Sequence, residues 1–166
     1  MDNTGIFDIF TDLRTSVMAY ESMEDISTPR FHSGIEIHCI TAGETVAVLG
    51  DTEWTVKAGQ VYLVSPLEHH SRFAVTPFQD TVCVIPASIL ASVIGTDNSF
   101  SFSSTVIDGT DAEACYRLVG QTLDGLQKGY DRYAEAAGKA LAAWLIDVVS
   151  LKDGMNPSSG CTGNHL

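Results

Sequence analysis

Basic residues are scarce in this chain of 166 residues: 9 Lys and Arg stand against 21 Asp and Glu, for a formal charge of −12. Nucleic-acid binding rests largely on Lys and Arg neutralising phosphates, so this segment by itself is a poor DNA binder. No apolar run approaches the ~20 residues that a helical membrane span requires. The start, Met-Asp-Asn-Thr-Gly, lacks the basic residues and apolar stretch of a signal peptide, which leaves a cytoplasmic location and no membrane partner as the expectation. Cys39, Cys83, Cys115 and Cys161 are widely spaced with no C-x-x-C pair, and read as free thiols rather than zinc or redox groups. Also missing are G-x-S-x-G, a phosphate-cradling Gly loop and H-E-x-x-H.

With 45% apolar and only 18% charged residues, the composition fits one folded domain with a proper core. Residues 3–14 carry Ile6, Phe7, Ile9, Phe10 and Leu13 and predict a short helix, inside an N-terminal extension spanning 1–16. From Val17 to Pro86 the pattern becomes short runs of β-formers divided by turn residues. Ile35–Thr41, Thr45–Leu49, Glu53–Val56, Val61–Val64, Ser71–Val75 and Thr81–Ile85 are the predicted strands, punctuated by Gly43, Gly50, Pro66 and Pro77. Such spacing predicts an antiparallel sandwich or closed barrel, here over residues 17–108, and closure removes sticky edges. Gly43 and Gly59 are each expected to permit a turn with positive φ. Trp54 reads as barrel core.

Helical periodicity then takes over, in a unit spanning 109–153. Asp111 is the expected N-cap of a helix carrying Cys115, Leu118, Val119, Thr122, Leu123 and Leu126, ended by Gly129. A second helix from Asp131 stacks Tyr133, Ala137, Ala140, Leu141, Trp144, Leu145, Val148 and Leu151 on one face. So short a turn makes the two helices antiparallel. Packing over the open end of the barrel and forming a dimer interface are both open roles for them. Residues 154–166 are rich in Gly, Ser and Asn, and read as a linker or tail that includes His165.

The chemistry concentrates in residues 30–43, Arg-Phe-His-Ser-Gly-Ile-Glu-Ile-His-Cys-Ile-Thr-Ala-Gly. Strand side chains alternate, so Arg30, His32, Glu36, His38 and Ile40 share one face of a regular strand, with Phe31, Ile35, Ile37 and Cys39 on the other. Burying four polar groups in a row costs several kcal/mol unless they bond each other, a ligand or a metal. Three residues separate His32 from Glu36, six separate Glu36 from Gly43, and fifteen more lead to Gly59, in a segment ending at His70. His70 is expected to converge on the same space, with His69 a solvated neighbour at the rim.

This pattern resembles the paired motifs of cupins, in which His-x-His, Glu and Gly are followed by Gly and His. The implied fold is mainly β: a cupin-like antiparallel β-barrel, or double-stranded β-helix (jelly roll), followed by two antiparallel α-helices. Arg30 stands where metal-binding cupins place their first His, and it could neutralise Glu36. His32, Glu36 and His70 remain as a possible two-His, one-carboxylate set for a divalent transition metal, against a metal-free polar pocket with no cofactor, which is the main expectation.

More narrowly, the two segments and the trailing helices resemble the N-terminal sensor domain of AraC-type transcriptional regulators. That resemblance implies a small-molecule effector held by Arg30, His32, Glu36, His38 and His70, no catalytic residues, and a homodimer formed through the C-terminal helices. It also implies DNA contact only through a module absent from this chain, so the parent protein is expected to continue past Leu166. A stand-alone metal-dependent cupin enzyme of isomerase or dioxygenase type is the alternative, with a non-catalytic binding module third.

Overall fold

The computed structural model describes residues 5–95, 101, 102 and 104–150. Residues 151–166 lie outside the described residues, which takes in Leu151 of the predicted second helix, the end of the unit at 109–153 and the tail at 154–166 with Cys161 and His165. In chain order the elements are β1 (Ile6–Phe7), α1 (Ile9–Asp12), β2 (Met18–Ser22), β3 (Ile26–Phe31), β4 (Ile35–Ala42), β5 (Glu44–Leu49) and β6 (Thr52–Lys57). They continue with β7 (Val61–Val64), β8 (His70–Ala74), β9 (Gln79–Ile85), α2 (Ala87–Ile94), β10 (Val106–Ile107), α3 (Gly109–Gln127) and α4 (Asp131–Leu145), which runs into a π-helical turn at Ile146–Ser150.

Two five-stranded sheets result, ordered β1-β3-β8-β5-β6 and β10-β7-β4-β9-β2. Their pairings are antiparallel except for the parallel β1–β3 contact. The sheets meet face to face. Ile40, Tyr62 and Val64 from one interdigitate with Ala47, Leu49 and Val56 from the other. The opposite face of β4, β7 and β9 is covered by helices: Ile35, Ile37, Cys39, Leu63 and Ile85 pack with Cys115, Val119, Leu141 and Leu145. Residues 35–40 are buried on both rows because β4 lies between an inner polar array and this outer apolar layer.

Several sequence expectations need correction. Of the predicted helix at 3–14, the described residues, from Gly5 on, hold a two-residue strand and a single helical turn, because β1 pairs with β3 instead of continuing as helix. The row drawn from Arg30 to Ile40 is broken at 32–34. There His32 O accepts from Leu67 N at 2.8 Å, Ser33 N donates to Asp12 Oδ1 at 2.8 Å, and Gly34 lies tight against the Ile85 carbonyl. The first long helix begins at Gly109, after Asp108, ahead of the expected cap at Asp111. Helix α2 lies outside the sequence expectations, since an octet as short and as apolar as Ala-Ser-Ile-Leu-Ala-Ser-Val-Ile is not told from a buried strand by periodicity.

On α4 the buried face is Ala134, Ala137, Gly138, Leu141, Ala142 and Leu145, so Tyr133 and Ala140 are exposed. Small residues are required there: a side chain on Gly138 would press on Val17. The helix pair covers the outer face of a sheet, not the barrel's open end. Trp54, on edge strand β6, is 37% exposed and outside the core.

Cys39, Cys83 and Cys115 are free and buried in the outer layer. Burial pushes the Cys83 and Cys115 thiols up to about 12 and raises Cys39 as well. Since the thiolate is the nucleophile, these three are expected to resist an alkylating reagent at pH 8 until the protein is unfolded. Mass spectrometry after labelling with and without denaturant checks this. Labelling of any of the three in native protein at the rate of a free thiol would contradict it.

Candidate functional site

Strand alternation sends Glu36 and His38 of β4, Tyr62 of β7 and Asp80 of β9 from one sheet toward His70 and Arg72 of β8 on the other. The turn after β3 adds His32. All are buried, and His38 is fully so. His32 Nε2 lies 2.7 Å from Glu36 Oε2, and His70 Nε2 lies 3.2 Å from the same oxygen. The other carboxylate oxygen, Oε1, is 3.2 Å from His38 Nε2, close but off the axis of a hydrogen bond. His38 Nδ1 sits 2.8 Å from Asp80 Oδ2, and Arg72 Nη1 donates to that same oxygen.

A buried line of polar groups therefore crosses the barrel, from Glu36 through His38 and Asp80 to Arg72. Tyr62 stacks on His38 with ring centroids 4.1 Å apart, and the Arg72 guanidinium lies over Phe78. Burial works against charge on Glu36, but the nearby His70, the hydrogen bond from His32 and the close His38 ring outweigh it and hold the carboxyl well below its ordinary range. For His38, burial favours the neutral ring, yet its hydrogen bond to Asp80 and the adjacent Glu36 carboxylate raise its pKa above the ordinary value.

The linkage signs follow. The contribution of Glu36 is fully present above its unfolded value of 4.5 and is lost as pH falls through the depressed native value. The contribution of His38 is fully present below 6.5 and is lost as pH rises through the raised native value. Thermal stability is expected to be greatest between these two limits, and His38→Gln to flatten the alkaline side of the curve. A His38→Gln profile parallel to wild type across pH 6–9 would contradict that assignment.

Of the five residues proposed from sequence, four converge: His32, Glu36, His38 and His70. Arg30 does not join them. It is exposed, beside a surface hollow of about 370 Å³ that it shares with Ile6, Phe7, Asp8 and Ile9. Histidines, and not Arg30, meet the Glu36 carboxylate. His69 is half-buried and stacks on Phe31 at 4.5 Å.

Sequence reading missed Arg72, Asp80 and Tyr62. Arg72 was within reach, since it follows His70 by two residues and so shares its strand face. Asp80 offered only the weaker sign of a lone charge opening an apolar strand. His32, Glu36 and His70 each present a donor atom within 4.8 Å of the others, and His32 Nδ1 is buried without a hydrogen-bond partner. Two imidazoles and a carboxylate so placed could hold a divalent transition metal, which would act there as a Lewis acid or a structural cross-link.

A small two-sheet barrel with a buried polar cluster and a trailing helix pair defines a ligand-binding domain of the cupin type. The chain belongs to the family of AraC-like ligand binding domains, whose model matches residues 17–144. No curated protein matches it. Among solved structures it is similar to ToxT from Vibrio cholerae, in a crystal structure with an unsaturated fatty acid bound. The TM-score is 0.53 at 16% identity, covering 84% of this chain and 56% of ToxT, so this chain spans little more than half of that protein. It is also similar to the cupin domain of Schizosaccharomyces pombe Cnp3, with a TM-score of 0.41 and 15% identity over 49% of this chain and 64% of that one. A putative ethanolamine utilization protein from Salmonella typhimurium scores 0.39 at 20% identity, over 44% of this chain and 60% of its own. Among the described residues no helix is long and apolar enough to cross a membrane.

Proposed function

We propose that this chain is the effector-sensing and dimerisation part of an AraC-type transcriptional regulator, with DNA contact made by another part of the parent protein. The observation that carries this reading is the extent of the family match. It runs from Val17 at the start of the barrel to Trp144 near the end of α4, taking in barrel and helix pair together. The charge of −12 agrees with a unit that does not touch phosphate. ToxT with its bound fatty acid supports an organic small molecule as effector. The His–Glu cluster here favours a ligand bearing a polar or cationic group over a long lipid, because unmet polar groups beside an alkyl chain would be costly. Tyr130 and Tyr133, exposed at the start of α4, are the apolar surface offered to a second copy.

The test has two arms. The parent reading frame is expected to continue past Leu166 into a basic helical region of about 100 residues, the size that two helix-turn-helix units need. A stop codon close after Leu166 would count against a regulator. In the second arm, a panel of small sugars, carboxylates and amines is screened by thermal shift. A true effector at 100 times its Kd stabilises by about 2.7 kcal/mol, and Glu36→Ala is expected to abolish that shift. A shift unchanged in Glu36→Ala would place the ligand elsewhere.

A second reading, a metal-dependent cupin enzyme, is favoured by the convergence of His32, Glu36 and His70 alone. It requires stoichiometric transition metal in protein purified without chelators. Metal-free protein that takes up no Co²⁺ on titration would remove it.

A further inference from the structure

The buried line does not stop at Arg72. Its Nε donates to the main-chain carbonyl of Glu24 at 2.9 Å, and its Nη2 donates to Ser22 Oγ at 2.8 Å. Both acceptors belong to the end of β2 and the turn of residues 23–25 that leads to β3. Strand β8 ties that turn a second time, because Ala74 N donates to Asp25 Oδ1 at 2.8 Å. The same turn walls a surface hollow of about 440 Å³, bounded by Tyr20, Glu21, Ser22, Met23, Glu24 and Gln79.

We propose that the line from Glu36 through His38 and Asp80 couples occupancy of the Glu36 cluster to the conformation of the β2–β3 turn, with Arg72 as the positioning residue that transmits it. The inference takes the Glu36 cluster as the effector site and so rests on the regulator reading for its purpose. Its physical basis is a shared acceptor. His38 Nδ1 and Arg72 Nη1 both contact Asp80 Oδ2, while Asp80 Oδ1 is buried with no hydrogen-bond partner. The carboxylate therefore has two seats, one doubly used and one open.

A ligand that draws Glu36 Oε1 out of its 3.2 Å contact with His38 Nε2 removes that attraction and leaves the ring free to shift toward Asp80. Competition at Oδ2 then favours movement of Arg72 to the open Oδ1. Any such movement strains the two bonds that hold Glu24 and Ser22, because one planar guanidinium makes them all. A network with two discrete arrangements is the physical requirement for coupling between separated sites.

The coupling is measurable without any ligand. NMR hydrogen exchange is read at the Arg72 Nε–H and the Ala74 amide, with the Val119 amide in α3 as a control for global stability. The near-isosteric Glu36→Gln, made at the far end of the line, is expected to speed exchange at both reporters by about tenfold relative to Val119, a size typical of coupling within one hydrogen-bonded network. By reciprocity, Ser22→Ala at the turn is expected to shift the His38 ring nitrogen resonances. A purely structural role for Arg72 predicts neither remote effect.

The double variant is expected to be non-additive. Folded variants in which the reporters do not respond to Glu36→Gln, or in which the two substitutions add, would overturn the proposal. Ser22→Ala removes one surface-side bond, so the reciprocal arm stands even where Glu36→Gln unfolds the protein. A parent protein that fails to bind DNA would remove the regulator reading and leave this result unchanged.

Discussion

Asp80→Ala is expected to destabilise the protein by about 3–5 kcal/mol, the usual cost of leaving a buried charge without its partner. Asp80 is fully buried, and the carboxylate it would lose is the acceptor for both Arg72 and His38. Arg72 is itself 2% exposed, so little water reaches its guanidinium in compensation. Much of the loss is this stranded charge rather than the worth of the pair. The double variant Arg72→Met/Asp80→Leu is accordingly expected to recover most of the stability, because replacing both partners with apolar groups of similar bulk is often neutral. Urea unfolding of wild type, single and double variants decides the matter. A loss below about 1 kcal/mol for Asp80→Ala would mean that the pair behaves as a solvated surface bridge.

Gly43→Ala carries the second large effect, of about 3–5 kcal/mol, from left-handed backbone strain and overpacking together. Its φ is +71°, and a Cβ there would lie 2.0 Å from the Pro77 carbonyl oxygen and 2.8 Å from Phe78 Cα. Neither neighbour is a flexible side chain, and Gly43 is further held because its own carbonyl accepts from Ala58 N at 3.0 Å. Gly59 is the control. Its φ is +91°, but a Cβ there would meet nothing within 4 Å, so Gly59→Ala is expected to cost only the strain, about 1–2 kcal/mol. Equal losses at the two positions in thermal unfolding would show that the close approach of Pro77 is relieved by backbone movement.

These two glycines show what was legible. Each stands between runs of β-formers, and the requirement for positive φ at both follows from that setting alone. The strands from β4 to β9, the pair of long helices, the Gly129 break and the convergence of His32, Glu36 and His70 were likewise readable. Alternation and helical period are local properties, and the spacing of His and Glu between glycines fits few folds. What differs between Gly43 and Gly59 is the chain that passes by, and no local pattern carries that.

The site divides in the same way. Sequence by itself determined that a polar row with Glu36 at its centre had to be satisfied inside a small barrel. It also determined the charge of −12, which works against any contact with phosphate. Only the tertiary structure decided what satisfies that row. Arg72 and Asp80 come from different sheets and meet because β8 and β9 face each other across the barrel. Arg30, the basic residue closest in sequence, stands opposite His70 on the neighbouring strand yet remains exposed and outside the cluster. Strand periodicity says which face a side chain takes; closure of the barrel says what stands opposite, and in a buried, low-dielectric interior that opposite partner sets the charge of the group.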